Sequence, residues 1–384
     1  MIIQRLHWGA LVALCVANGV YAHPEDTVRP WLEYNVTHDS NYFRVANEAQ
    51  ALVQLGSTNT AVTTYRSGVG VDADLRMGRQ LVALRGALSK VKYDHQMLKP
   101  TSEWRASADW IWVLGNRLTG SLNYRIQESL QSQADVSSTE QSKQEQTNIG
   151  FRASYQVHPS FYLDYGVNEA TFVYSPATRK GSDRSERSQN VGWRMPTRAG
   201  NHLGMQYTKT DGEYPNQSPV QRYEQTEYNL NGSWAPTGIS RLSWAVGQTR
   251  RIDGLTTLNQ PTWSLSAGWT PTGKTSFIAS LGRSVGSSET ATVSNTTITD
   301  TATLGVTWSA TAKITMSANV RGQNLEYTPV GRTDKVRSGG LSLGYQVWRS
   351  GQATLSYDTE RRNSTVRSAE YRNEKWSVGL RAAF

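Results

Sequence analysis

The chain has 384 residues, a formal net charge of +9 and one cysteine, and its mean hydropathy is −0.55. After residue 22 no run approaches the roughly 18 consecutive apolar residues that a membrane-spanning helix needs, which excludes a helical membrane protein. A low mean hydropathy leaves a transmembrane β-barrel open, because only every second strand residue meets lipid.

The first 22 residues read as a signal peptide. Arg5 gives a basic start, Leu6 to Val16 is largely apolar, and Val20-Tyr21-Ala22 fits a cleavage site after Ala22. Cys15 lies inside this segment and follows Leu14 rather than a small residue, so a lipoprotein anchor is not expected. Residues 23–384 then form one unit without cysteine, and hence without disulfide or thiol chemistry. Removal of Arg5 leaves a charge of about +8.

Short turn sequences recur along that unit near Gly78, Asn116, His158, Thr197, Thr237, Thr272, Thr311 and Arg349, at steps of 35 to 42 residues. One barrel hairpin and its return loop have this length. Between the turns the period is two, which excludes a helical solenoid. In 148–157, Ile149, Phe151, Ala153, Tyr155 and Val157 oppose Asn148, Gly150, Arg152, Ser154 and Gln156. In 313–322, Ile314, Met316, Ala318 and Val320 oppose Lys313, Thr315, Ser317, Asn319 and Arg321, and 338–347 alternates likewise. Long polar connections are expected at 131–146, 175–188, 211–221 and 284–297. Two strands per short turn and one at each end give a closed antiparallel all-β barrel of about eighteen strands, with sixteen as the alternative count. The first strand falls near 31–38 and the last at 371–384, so both ends lie on the short-turn, periplasmic side.

Trp112, Trp193, Trp234, Trp269 and Trp308 each precede a short turn and share the apolar face. They predict an aromatic belt at one membrane interface, where an amphipathic ring is favoured. Trp348 has the opposite parity. In the last strand Trp376, Val378, Leu380 and Phe384 share one face, and the terminal Phe384 resembles the signal read by the barrel-assembly machinery.

The face away from lipid carries the candidate functional residues. Arg66, Arg85, Arg105, Arg125, Arg152, Arg241, Arg321 and Arg381 fall there, with Asp72, Asp74, Asp109, Asp164, Glu227 and Asp358. One reading is an electropositive conduit for anions. The other is cross-strand pairing with these carboxylates. Arg76 and Arg194 lie near turns, where lipid phosphates are alternative partners. No metal-ligand spacing, GxSxG motif or phosphate-binding loop is present, so no catalytic residue, metal or cofactor is assigned. Nucleic acid is not an expected partner, since the basic and aromatic residues occupy opposite strand faces.

The stretch Tyr34 to Arg44, with Asp39, Asn41, Phe43 and Arg44 and with departures at His38 and Ser40, resembles the opening segment of the EpsL-like outer-membrane proteins of exopolysaccharide biosynthesis operons. That resemblance implies a bacterial outer-membrane barrel that exports a polymer through its basic lumen. Its partners would be outer-membrane lipid, an anionic polysaccharide and periplasmic export components. A general or anion-preferring porin, and a receptor or adhesin acting through its loops, are the alternatives that the residues leave open.

Overall fold

The computed structural model describes residues 27–131, 140–197, 200–254, 256–287, 296–328 and 330–384. The expected leader with its cleavage site at Ala22 lies outside them, as do 132–139 and 288–295 within two of the expected loops.

Eighteen strands follow one another: β1 (Val28–Asp39), β2 (Val62–Met77), β3 (Gln80–Tyr93), β4 (Thr101–Leu114), β5 (Leu118–Leu130), β6 (Lys143–His158), β7 (Phe161–Tyr174), β8 (Arg184–Pro196), β9 (His202–Tyr214), β10 (Gln221–Thr237), β11 (Ser240–Asp253), β12 (Thr256–Thr272), β13 (Thr275–Ser287), β14 (Thr296–Ser309), β15 (Ile314–Thr328), β16 (Arg332–Trp348), β17 (Gly351–Ser364) and β18 (Tyr371–Ala383). Each pairs antiparallel with its sequence neighbours. β18 returns to β1, with Trp31 opposite Ala383 and Asp39 opposite Lys375, which closes the cylinder. Closure leaves no strand edge in hydrocarbon, where an unpaired backbone group has no water to bond.

Alternation sorts the side chains. Tyr65, Val71 and Leu75 of β2 point outward and are exposed, as do Leu84 and Leu88 of β3 and Val378 and Leu380 of β18. A soluble domain would bury these groups; here they face the bilayer. The tight turns at one end accept the backbone geometry of Gly78 and Gly115, whose φ angles of +60° and +58° disfavour other residues.

The loops at the other end are shorter than the polarity of the sequence implies. The connections run 131–142, 175–183, 215–220 and 288–295, because strand pairing continues into the polar segments. The long connection is instead 40–61, which carries the helix α1 (Glu48–Leu55). Asn47 caps α1 by accepting the Gln50 N–H. Ala51 of α1 packs with Phe43, Val45, Val62 and Leu98 in a small apolar core over the rim.

One seam breaks the regular wall. β12 and β13 pair from Thr272 opposite Thr275 up to Trp263 opposite Arg283, and no further. Above that point β12 stays with β11, and β13 stays with β14. The described ends of β13 and β14, up to Ser287 and from Thr296, are tucked inside the barrel. Their outward-parity side chains Val285 and Ile298 are only 7% and 4% exposed. The Val285 carbonyl accepts from Gln225 Nε2 on β10 at 3.4 Å, and Thr296 Oγ1 lies 3.2 Å from Asp253 Oδ2 on β11.

Candidate functional site

Neighbouring strands bring the predicted arginines to the inner face in two groups. The first is paired. Arg66 contacts Glu103. Arg85 lies 2.6 Å from Asp74 and 3.7 Å from Asp72. Arg381 lies 3.5 Å from Asp72. Arg194 meets Asp164 at 2.9 Å and lies over the Tyr162 ring, so it is engaged within the protein. In these places the cross-strand reading holds.

The second group stands free. Arg125 on β5, Arg152 on β6, Arg241 on β11 and Arg321 on β15 are exposed. Among the described residues none of them has a carboxylate within ion-pair distance. Arg152 faces Ser121 of β5, four residues below Arg125. At about 3.3 Å per residue the two guanidinium stems lie roughly 13 Å apart along the wall. Arg321 sits nine strands from Arg152, on the opposite half of the ring. Arg76 is likewise exposed, near the β2–β3 turn.

Trp31 is the inner-face residue that sequence reasoning passed over. It is 3% exposed, with Arg381 stacked at 4.3 Å and Arg105 at 5.8 Å from its ring centroid. Gly70 makes room for it: a Cβ there would lie 2.3 Å from the indole. Its parity was the available signal, since Trp31 shares a face with Glu33, Asn35 and Asp39 rather than with Tyr34 and Val36.

The mouth is narrowed by the tucked tip. Ser287 Oγ lies 3.0 Å from Glu186 Oε1 on β8 and 3.0 Å from the Tyr223 hydroxyl on β10. Tyr223 in turn donates to Glu186 at 2.5 Å. Arg251 covers the Tyr223 ring at 3.6 Å and reaches Gln225 at 3.2 Å. Across the rim, Asp334 is fully buried between Arg332 at 2.5 Å and Arg362 at 3.8 Å, and it accepts from Ser364 Oγ at 2.6 Å. The meeting of Ser287, Glu186 and Tyr223 follows from no local pattern, because it joins strands that are not neighbours in the wall.

The predicted tryptophans end strands on the outer face. Trp234, Trp269 and Trp308 are about half exposed, and Trp269 stacks on Phe277 and Trp193 on Phe161. Trp112 differs: it lies flat over Gly120 and against Phe151, which buries it. Trp348 folds over Gly351 at its turn. In β18, Trp376, Val378 and Leu380 face outward, and the Phe384 amide donates to the Pro30 carbonyl at 2.8 Å, tying the two chain ends together.

Catalytic geometry is sparse. His202 Nδ1 lies 2.7 Å from Ser233 Oγ, yet among the described residues no carboxylate is hydrogen-bonded to that histidine. Among the same residues no three His, Cys, Asp or Glu side chains converge as metal ligands.

Comparison with solved structures matches this architecture over nearly the whole chain. OpdK from Pseudomonas aeruginosa superposes with a TM-score of 0.50 at 12% identity, over 94% of this chain and 100% of its own. OccK2 (OpdF) from the same organism gives 0.53 at 13% identity, over 93% and 98%. A BenF-like porin from Pseudomonas fluorescens Pf-5 gives 0.51 at 12%, over 94% and 99%. This chain is an outer-membrane β-barrel. At such identities the likeness shows the fold alone. The family model described as "Putative beta-barrel porin 2" matches residues 247–384. No curated protein matches the sequence.

These matches overturn the EpsL-like reading of residues 34–44, since the family model describes a β-barrel porin and the BenF-like fold neighbour is a porin. The structure gives that segment another explanation. β1 ends at Asp39, and the chain then folds into a knot in which Arg44 Nη1 and Nη2 each lie 3.0 Å from the Asp39 carboxylate. Asn41 Nδ2 donates to the Val45 carbonyl at 2.8 Å. The Asp, Asn, Phe and Arg that suggested the resemblance build the base of the 40–61 connection.

Proposed function

We propose that the barrel is a porin, not an enzyme, and that its lumen favours small organic anions, carboxylates foremost. The supporting observation is the free inner group of Arg125, Arg152, Arg241 and Arg321, placed on both halves of the ring. Unpaired guanidinium groups in a water-filled tube with low-dielectric walls raise the local anion concentration and offer forked donors to a passing carboxylate. Arg66, Arg85, Arg105 and Arg381 form a second, partly neutralised track beside them. OpdK and OccK2 have been crystallised with vanillate and with glucuronate. Both ligands are carboxylates, and we carry that class over to this lumen. The comparisons lend no support to polymer export.

On this reading residues 1–22 are a leader cleaved after Ala22. Trp112, Trp193, Trp234, Trp269 and Trp308 serve as the periplasmic aromatic belt. Trp376, Val378, Leu380 and Phe384 are the segment read by the barrel-assembly machinery.

Reversal potentials in planar bilayers under a salt gradient test the proposal. Anion preference that falls when the four free arginines are replaced by glutamine supports it. A cation-preferring or sealed wild-type barrel rejects it.

A further inference from the structure

The outer face carries an arrangement that transport through the lumen does not use. Arg337 of β16 stands directly opposite Arg361 of β17. Arg361 stands directly opposite Arg372 of β18. All three are exposed and point outward, with Lys335 exposed at the next outward position of β16. Like charges directly opposite one another on a sheet are destabilising. On β7 to β10, by contrast, outward charges of opposite sign are paired across the strands. Arg187 lies 3.4 Å from Glu169, Lys209 3.1 Å from Glu224, and Arg222 3.2 Å from Glu213.

Internal partners relieve the arginine row only in part. Arg372 lies 2.9 Å from Glu374, and Arg361 Nε donates to Asn363 Oδ1 at 3.0 Å. Among the described residues Arg337 has no hydrogen-bond or ion-pair partner. Lys335, Arg337, Arg361 and Arg372 stand against two outward carboxylates, Glu374 and, diagonal to Lys335 on β15, Glu326, so the row keeps a net positive charge.

Its height is informative. Arg361 lies ten residues beyond Gly351, where β17 begins at the periplasmic end. At about 3.3 Å per residue and a strand tilt of about 40°, that places it roughly 25 Å up, the top of the apolar band of such barrels. Below it β16 to β18, with β14 and β15 beside them, form an apolar groove of about 530 Å³ lined by Trp308, Met316, Leu341, Leu355, Tyr357 and Trp376, with Ala318 also contributing. Tyr357 and Trp376 pack at 4.4 Å within it. The groove lies one strand-length of four residues beneath the arginines, since Leu341, Tyr357 and Trp376 share the rung four positions down each strand.

We propose that this face binds a phosphorylated, acylated lipid of the outer leaflet. Its phosphate would bridge Arg337, Arg361 and Arg372, and one acyl chain would lie in the groove. Arginine forks suit phosphate geometry, and a shared anion turns the repulsion between neighbours into attraction.

The test is native mass spectrometry of the detergent-solubilised full chain with bisphosphorylated lipid A, with the same lipid after dephosphorylation, and with inorganic phosphate as competitor. The phosphorylated lipid should be retained. The triple variant R337S/R361S/R372S should weaken retention roughly tenfold or more, about 1.4 kcal/mol or above. Ala318→Phe fills the groove with every arginine in place, and should weaken retention too. It also decides the matter if the triple variant does not fold. Equal retention of both lipid forms, or unchanged binding by both variants, overturns the proposal. So does inorganic phosphate that binds this face while the lipid does not.

Discussion

Ser287 at the end of β13 lies 3.0 Å from the carboxylate of Glu186 on β8, although four strands separate them around the wall. The contact exists because β13 leaves β12 above Arg283 and carries its tip across the inside of the mouth. We predict that this contact sets how open the channel is. Ser287→Ala removes the hydroxyl shared with Glu186 and Tyr223, a loss of about 1.5–3 kcal/mol for a hydrogen bond to a charged group. Single-channel recordings should show larger or more frequent conductance steps for the variant. Traces identical to wild type would mean that the tip is held by its other contacts or does not move.

Charge reversal in the lumen should act on selectivity before it acts on stability. Arg125→Glu and Arg321→Glu change exposed groups without ion-pair partners among the described residues. Each should shift the reversal potential toward cation preference, and the shift should shrink at high salt as screening shortens. Thermal stability should stay within about 0.5 kcal/mol of wild type, as for other exposed substitutions.

Asp334 offers the opposite case. It is fully buried and lies 2.5 Å from Arg332 and 3.8 Å from Arg362. Asp334→Ala leaves two buried cations facing each other, a loss of about 3–5 kcal/mol. The heat-modified gel shift should occur at lower temperature, and the yield of folded barrel should fall. Asp334→Asn keeps the volume and part of the hydrogen bonding, and should fall between the two.

Gly70 tests packing inside the wall. A Cβ at that position would lie 2.3 Å from the Trp31 ring and 2.6 Å from the Gly86 carbonyl. Gly70→Ala should cost about 1–3 kcal/mol as the indole is driven off its seat. Tryptophan fluorescence should then report a more solvated ring. Ala substitution at Gly86, where the nearest neighbour is 3.8 Å away, should be tolerated far better.

The sequence carried the wall and not the interior. A period of two assigns each residue of 148–157 or 371–384 to one face, because a strand cannot turn a side chain without slipping its whole register. Strand number followed from turn spacing for the same reason. The inward tip is different in kind. Ser287, Glu186 and Tyr223 are 37 to 101 residues apart, and no local pattern records that they meet. The free and paired arginines also look alike in sequence. Arg85 and Arg125 have the same parity and similar neighbours, and only the register that puts Asp72 opposite Arg85 separates them. The segment 39–44 misled for a related reason: its polar residues are spent on a local knot.

The meeting of β1 with β18 has a consequence for how such a wall comes into being. The first strand made must wait, with one side bare, for the last. Until Tyr371–Ala383 arrives and lies along Val28–Asp39, the ribbon has two raw margins and no inside. A chain halted short of that final strand would present both margins to the membrane or to its neighbours, a ready template for clumping.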